Sequence, residues 1–168
     1  SARTFQISAL AMEDSVLQNA MLGAIGKTGS PWRFLKPARA DQAIRERAEL
    51  ALSRVGLSEL ADARTGEISH GQRRRLEVAV ALTLAPRVFV MDEPMAGLGA
   101  EGTRELTGLL DELRADAPIL LVEHDMDVVF SLANRITVLD YGRVIASGNT
   151  EEIRAHPDVR RAYLGEEA

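Results

Sequence analysis

The chain has no cysteine. That excludes disulfides, thiol nucleophiles and thiolate metal sites, and it fits a reducing compartment. Aromatic residues make up 4% of the 168 residues, too few for a platform on which successive bases stack. No apolar run approaches the roughly 20 residues of a membrane-spanning helix. The opening residues, Ser1–Ile7, do not have the pattern of a secretory signal. Any membrane role is therefore expected to come through a partner. Basic residues are not in excess: the net charge is −5, which argues against a general nucleic-acid binder. Internal repeats and low-complexity segments are also missing.

What is present is ordinary for a soluble globular domain with a real core, at 46% hydrophobic and 27% charged residues. The most informative stretch is Val88-Phe89-Val90-Met91-Asp92-Glu93-Pro94. Four consecutive apolar residues predict a short strand buried on both faces. Two carboxylates follow at once. Acids at the end of a core strand face a cation, a water or a polar cleft, because burying them unpaired costs several kcal/mol. In open parallel α/β sheets, ligands sit beyond the carboxyl ends of the strands. Asp92 and Glu93 are thus placed where a metal and a water can be held. On this stretch alone, a strand end with two solvated acids is an equal alternative.

In chain order, residues 11–25 carry Val16, Leu17, Met21, Leu22 and Ile25 at helical spacing. Residues 26–39 read as a Gly- and Pro-rich loop in which Trp32 and Phe34 tether to the local core. A helix is expected over 40–55, with Ala43, Ile44, Ala48, Ala51, Leu52 and Val55 on one side and Gly56 closing it. A short helical turn follows over 57–63. Ser69 precedes a buried helix of about 71–85 that Pro86 ends. A helix of about 101–115 aligns Leu106, Leu109, Leu110 and Leu113. Ile119–Val122 reads as a second buried strand, with Glu123-His124-Asp125 at its mouth and a helix over 126–134 behind it. Residues 136–139 and 143–147 form a hairpin about Asp140-Tyr141-Gly142. Thr150 is expected to cap a last helical stretch, which His156-Pro157 breaks. Helices thus dominate up to about residue 86, and an α/β layer follows.

Gly26-Lys27-Thr28 does not make a P-loop, since that motif needs a glycine five positions earlier and Met21 stands there. No other stretch fits. Ile68-Ser69-His70-Gly71-Gln72 combines a hydroxyl, a glycine and the free N–H groups of a helix start, which suits an anion. Taken alone it reads more simply as a serine N-cap. The order of features gives it more weight: Ser69–Gln72, then Asp92-Glu93-Pro94, then Met95–Gly99, then His124.

This order resembles the nucleotide-binding subunits of ATP-binding-cassette (ABC) transporters. Ile68–Gln72 is similar to their Leu-Ser-Gly-Gly-Gln signature, with His70 in place of the first glycine. Val88–Glu93 resembles the Walker B strand, and Met95–Gly99 the D-loop, with Gly99 where many members have Asp. His124 matches the switch histidine, and Gln6 of Arg3-Thr4-Phe5-Gln6 the Q-loop glutamine. Four stretches narrow the resemblance to branched-chain amino acid importer ATPases: Arg3–Gln6, Gly71–Glu77, Val122–Met126 and Tyr163-Leu164-Gly165.

The resemblance implies an α/β fold: an incomplete P-loop NTPase-like core with a helical subdomain. The strands and P-loop that precede the Q-loop in the family are expected to be missing from these residues. Residues 1–7 would be the Q-loop segment, 8–86 the helical subdomain and 87–168 the later part of the ATPase core. In the family two subunits, identical or not, sandwich two ATP molecules, and integral membrane permease subunits dock on the helical subdomain. Asp92 would hold Mg2+ with Gln6 nearby. Glu93 would polarise the attacking water, and His124 would bind the γ-phosphate. Ser69, Gly71 and Gln72 would close over the nucleotide from the other subunit. The expected protein is thus a transport ATPase at the inner face of the membrane, with no nucleic-acid partner and no insertion of its own. These 168 residues alone are expected not to hydrolyse ATP and to self-associate through uncovered sheet edges. Two other readings differ in class: a truncated, non-catalytic partner-binding module, and a soluble ABC ATPase of DNA repair or translation. At His70, filling space is favoured over contacting nucleotide.

Overall fold

The computed structural model describes residues 10–28 and 42–163. Gln6, Trp32, Phe34, Leu164 and Gly165 lie outside them. The chain divides into two compact units, one up to Val122 and one from Glu123 onward, and each is described by itself.

In the first unit, helices α1 (Val16–Thr28), α2 (Gln42–Arg54) and α3 (His70–Thr83) pack together. Val16, Ala20, Ala24, Ala48, Leu52, Leu57, Leu76 and Ala79 are buried there. Helix α1 begins at residue 16 rather than 11 because Ser15 and Gln18 form reciprocal bonds. Ser15 N donates to Gln18 Oε1 at 2.8 Å, and Gln18 N donates to Ser15 Oγ at 3.1 Å. These satisfy donors that a helix start leaves open. The segment before it is held by buried Asn19, whose Nδ2 donates to Ala11 O at 2.9 Å and Thr65 Oγ1 at 3.0 Å. Residues 26–28 continue α1 instead of opening a loop. Leu22 is 48% exposed, and Ala43 also faces solvent. In α1 the small residues Ala20 and Ala24 join Val16, Leu17 and Met21 on the buried face, while Ile44, Ala48, Ala51, Leu52 and Val55 are buried as the sequence predicts. Gly56 ends α2 with a φ of +68°, the left-handed conformation that glycine tolerates best. A single 3-10 turn follows over Ser58–Leu60.

Strands β1 (Phe89–Asp92) and β2 (Ile119–Val122) pair in parallel, Phe89 opposite Ile119 and Asp92 opposite Val122. Helix α4 (Ala100–Leu113) connects them and buries Leu106, Leu109, Leu110 and Leu113, as its leucine spacing predicts. Phe89 packs with Ala81 of α3 and Ala117. The expected double burial of the strands does not hold. Val90 and Met91 are half-buried, and Leu120 and Val122 are 57% and 51% exposed. Among the described residues β2 has β1 as its sheet neighbour, and the side carrying Leu120 and Val122 has no layer over it.

The second unit holds α5 (Met126–Leu132), the antiparallel strands β3 (Ile136–Asp140) and β4 (Arg143–Gly148), α6 (Thr150–Ala155) and α7 (Pro157–Tyr163). Its core is Ile136, Val138, Ala146, Ile153 and Val159. The hairpin turns at Tyr141 and Gly142, both with positive φ, as a two-residue turn of this hand requires. The cap of α6 is Asn149, not Thr150. Asn149 Oδ1 accepts from Glu152 N at 2.9 Å, and Glu152 answers with a bond from Asn149 N at 2.8 Å. Thr150 is displaced into the first turn, where its hydroxyl donates to Ala133 O.

Candidate functional site

The first unit contributes two adjoining pieces. One is the start of α3. Ser69 Oγ accepts from Gln72 N at 3.2 Å, and Ser69 N donates to Gln72 Oε1 at 2.8 Å. The two side chains expected to touch nucleotide therefore first fix the helix end that carries them. Both the cap and the anion reading of this stretch draw on the same geometry: Ser69 is exposed, and its hydroxyl hydrogen stays available. Gly71 is not required by the packing of the chain itself. A Cβ there would meet Leu98 Cδ2 at 3.9 Å, an ordinary contact.

The other piece is the end of β1. Asp92 and Glu93 are both exposed. Glu93 N donates to Val122 O at 2.9 Å, which carries the β1–β2 ladder one step past Asp92. Glu93 then has a φ of +44°. A left-handed backbone costs a non-glycine residue about 1–2 kcal/mol, and such outliers cluster at functional sites. The strand thus stops sharply after Asp92. Buried Pro94 and Met95 anchor the turn that follows. Ala96 N donates to Glu93 O at 3.0 Å and Leu98 N to Met95 O at 3.1 Å, which close it. His70 Nε2 lies 3.4 Å from Ala96 O, so the start of α3 touches this turn.

A cleft beside Asp92 is lined by Arg74, Glu77, Met91 and Pro94. Arg74 and Glu77, one helical turn apart on α3, pair on one wall of it at 3.0 Å and are largely shielded from solvent. Burial raises the Glu77 carboxyl above its ordinary range; the Arg74 hydrogen bond and charge, and then the His70 charge, pull it back in part. Sequence reasoning passed over Glu77. Its signal was an i, i+3 pairing with Arg74 on the apolar face of α3.

In the second unit, His124 extends into solvent with its side chain 71% exposed, while the Glu123 side chain is 1% exposed. Glu123 Oε2 accepts from His124 N at 3.2 Å. The expected polar mouth therefore changes. Glu123 turns inward, and Asp125 Oδ1 caps α5 by accepting from Asp127 N at 3.1 Å and Val128 N at 3.3 Å. His124 is left as the side chain that extends outward.

Among the described residues no group of three or more His, Cys, Asp or Glu gathers to hold a metal. One exposed carboxylate, Asp92, does suit a hard cation that keeps most of its waters, as Mg2+ does. No helix among the described residues is long and apolar enough to cross a membrane.

The sequence is similar to known proteins along nearly its whole length. A family model described as "ABC transporter" matches residues 2–96, and one described as "Branched-chain amino acid ATP-binding cassette transporter" matches residues 143–168. The high-affinity branched-chain amino acid transport ATP-binding protein LivG of Salmonella typhimurium is 42% identical over 98% of this chain and 67% of its own length. Its counterpart BraF of Pseudomonas aeruginosa is 37% identical over the same shares. Among solved structures, an ATP-binding cassette of an ABC transporter, MJ1267 in its ADP conformation, superposes with a TM-score of 0.81. It is 31% identical over 98% of this chain and 68% of its own.

Proposed function

The chain belongs to the ABC transporter family of ATP-binding subunits, and on that footing we propose that it serves the ATPase of an importer of branched-chain amino acids or a related solute. LivG and BraF, whose names give that transport, support this reading, as does the second family match at residues 143–168. The observation that carries it is the acid pair. Asp92 and Glu93 stand at the carboxyl end of a parallel strand, held there by a left-handed backbone and the bond to Val122 O, with the start of α3 against the turn beyond them.

The roles follow from phosphoryl-transfer chemistry, in which positioning and charge stabilisation do most of the work. Asp92 would hold Mg2+ through water, with Gln6 as a second contact; when bound, the ion offsets charge on the phosphates. Glu93 would take a proton from the attacking water, and His124 would orient that water and the γ-phosphate. Ser69, Gly71 and Gln72 would donate to the nucleotide of a partner subunit, identical or not, at a helix start whose dipole favours negative charge. Residues 8–86 would form the helical subdomain that receives a membrane permease subunit, and 87–168 the later part of the ATPase core. The assembly would sit peripherally on the cytoplasmic face.

These 168 residues contain no P-loop sequence, so on their own they are expected neither to hold ATP tightly nor to turn it over. The test is a chimera in which they replace the matching two thirds of LivG, assembled with its permease. Glu93→Gln should lower ATP turnover by about 10²–10⁴-fold while nucleotide binding persists. Unchanged turnover in that variant refutes the role of Glu93. Glu93-dependent turnover by the 168-residue chain alone refutes the need for a P-loop.

A further inference from the structure

We propose that His70 is a positioning residue that ties the first turn of α3 to the turn 95–99 following Glu93. This deepens the reading of the same site and rests on it. His70 is the first residue of α3 and is exposed, so burial does not explain a bulky side chain there. Its imidazole instead lies against the turn. Nε2 is 3.4 Å from Ala96 O, within reach of an N–H···O bond. Gly97 makes the approach possible. It has a φ of +75°, and a Cβ there would stand 3.3 Å from Nε2 and 3.6 Å from Cδ2 of the ring. The pair is therefore matched in shape, an aromatic ring on one element and an empty side-chain position on the other.

A second contact joins the same elements. Leu98 lies between two glycines, near enough that a Cβ on Gly71 would meet its Cδ2 at 3.9 Å and one on Gly102 its Cβ at 3.5 Å. An apolar contact of this kind carries no direction. The imidazole bond is directional. It fixes where the Ala96 carbonyl points, and through Ala96 N donating to Glu93 O at 3.0 Å it steadies the left-handed step at Glu93. With glycine at position 70 the directional part of the join would be lost and the Leu98 contact would remain. The consequence is mechanical. The helix start offered to a partner subunit and the acid acting in the chain's own half-site cannot shift independently.

The test uses amide hydrogen exchange on the 168-residue chain, read at Ala96 and Leu98, whose N–H groups close the turn. His70→Ala keeps α3 helical and removes the donor; His70→Gln keeps a donor at similar reach. A hydrogen bond of about 0.5–1.5 kcal/mol corresponds to exchange about 2–10-fold faster in His70→Ala, with His70→Gln close to the parent and melting temperatures alike. Unchanged exchange in His70→Ala, or an equal rise in both variants, overturns the proposal. In the LivG chimera, His70→Ala should lower kcat more than it raises KM for ATP, and His70→Gln should restore kcat. Faster exchange with an unaltered kcat overturns the functional half. A chimera inactive with His70 in place counts against the ATPase reading instead, and the exchange result still decides the contact.

Discussion

Gly23 sits where α1 crosses α3, and replacing it with alanine sets two effects of opposite sign against each other. Within a helix, Gly→Ala is worth about 1 kcal/mol in favour of the variant. The crossing opposes it. A Cβ at position 23 would lie 2.6 Å from Thr83 Oγ1, 2.9 Å from Val80 Cγ1 and 3.0 Å from the Val80 carbonyl oxygen. None of these yields easily. Thr83 is 1% exposed, and its hydroxyl donates to that same carbonyl at 2.6 Å. Rotating it away would strand a buried polar group. The remaining response is for the helices to part by several tenths of an ångström, which loosens Ala20 and Ala24 against α3. Overpacking costs about 1–3 kcal/mol, and with two approaches under 3.0 Å the cost here falls in the upper part of that range, about 2–3 kcal/mol. Gly23→Ala should therefore be destabilising by about 1–2 kcal/mol net, a fall in Tm of about 2–8 °C for a chain of this size. Gly108 on the exposed face of α4 is the control, because a Cβ there meets nothing within 4 Å. Gly108→Ala should raise Tm by about 1–4 °C. Thermal unfolding followed by circular dichroism measures both. A Gly23→Ala chain as stable as its parent would refute the close approach of α1 and α3, and with it the packing that places Ser69.

Glu77 makes stability depend on pH. Its folded-state carboxyl is raised above the ordinary 4.5, chiefly by burial. The stability it contributes is present below that value and is lost as pH rises through the higher folded value. The urea midpoint of Glu77→Gln should therefore gain on that of the parent as pH rises from 4 to 7; a constant difference rules this out. Tyr141 is fully exposed with a φ of +44° in the β3–β4 turn. Tyr141→Asn should raise stability by about 0.5–1 kcal/mol, because asparagine accepts that conformation more readily; a lower Tm contradicts it.

The sequence disclosed what local chemistry determines. Ser69 announces the start of α3 as its N-cap. The leucines of α4 give its buried face, Gly56 the end of α2, and Tyr141-Gly142 the hairpin turn. What it concealed depends on partners distant in the chain. Ile119–Val122 reads as a strand buried on both sides, but burial is a property of neighbouring layers, and Leu120 and Val122 lack one among the described residues. Glu123 and His124 look alike as polar residues after a strand, yet one turns inward and the other outward. The meeting of His70 with Ala96 spans 26 positions that no short-range pattern connects. At the acid pair, the apolar run gave the strand, which ends at Asp92 with both acids exposed. The left-handed turn of the backbone at Glu93 had no marker, since glutamate is an unusual residue to find there.

That turn has a consequence for how the protein can change over generations. Glycine is the residue most at ease at a φ of +44°, and glutamate codons become glycine codons through one base change. Such a substitution would relax the backbone at that step rather than strain it, and the product would be expected to fold while lacking the carboxylate to which the proposed mechanism assigns activation of water. The backbone at position 93 thus favours glycine, while the proposed chemistry requires the carboxylate.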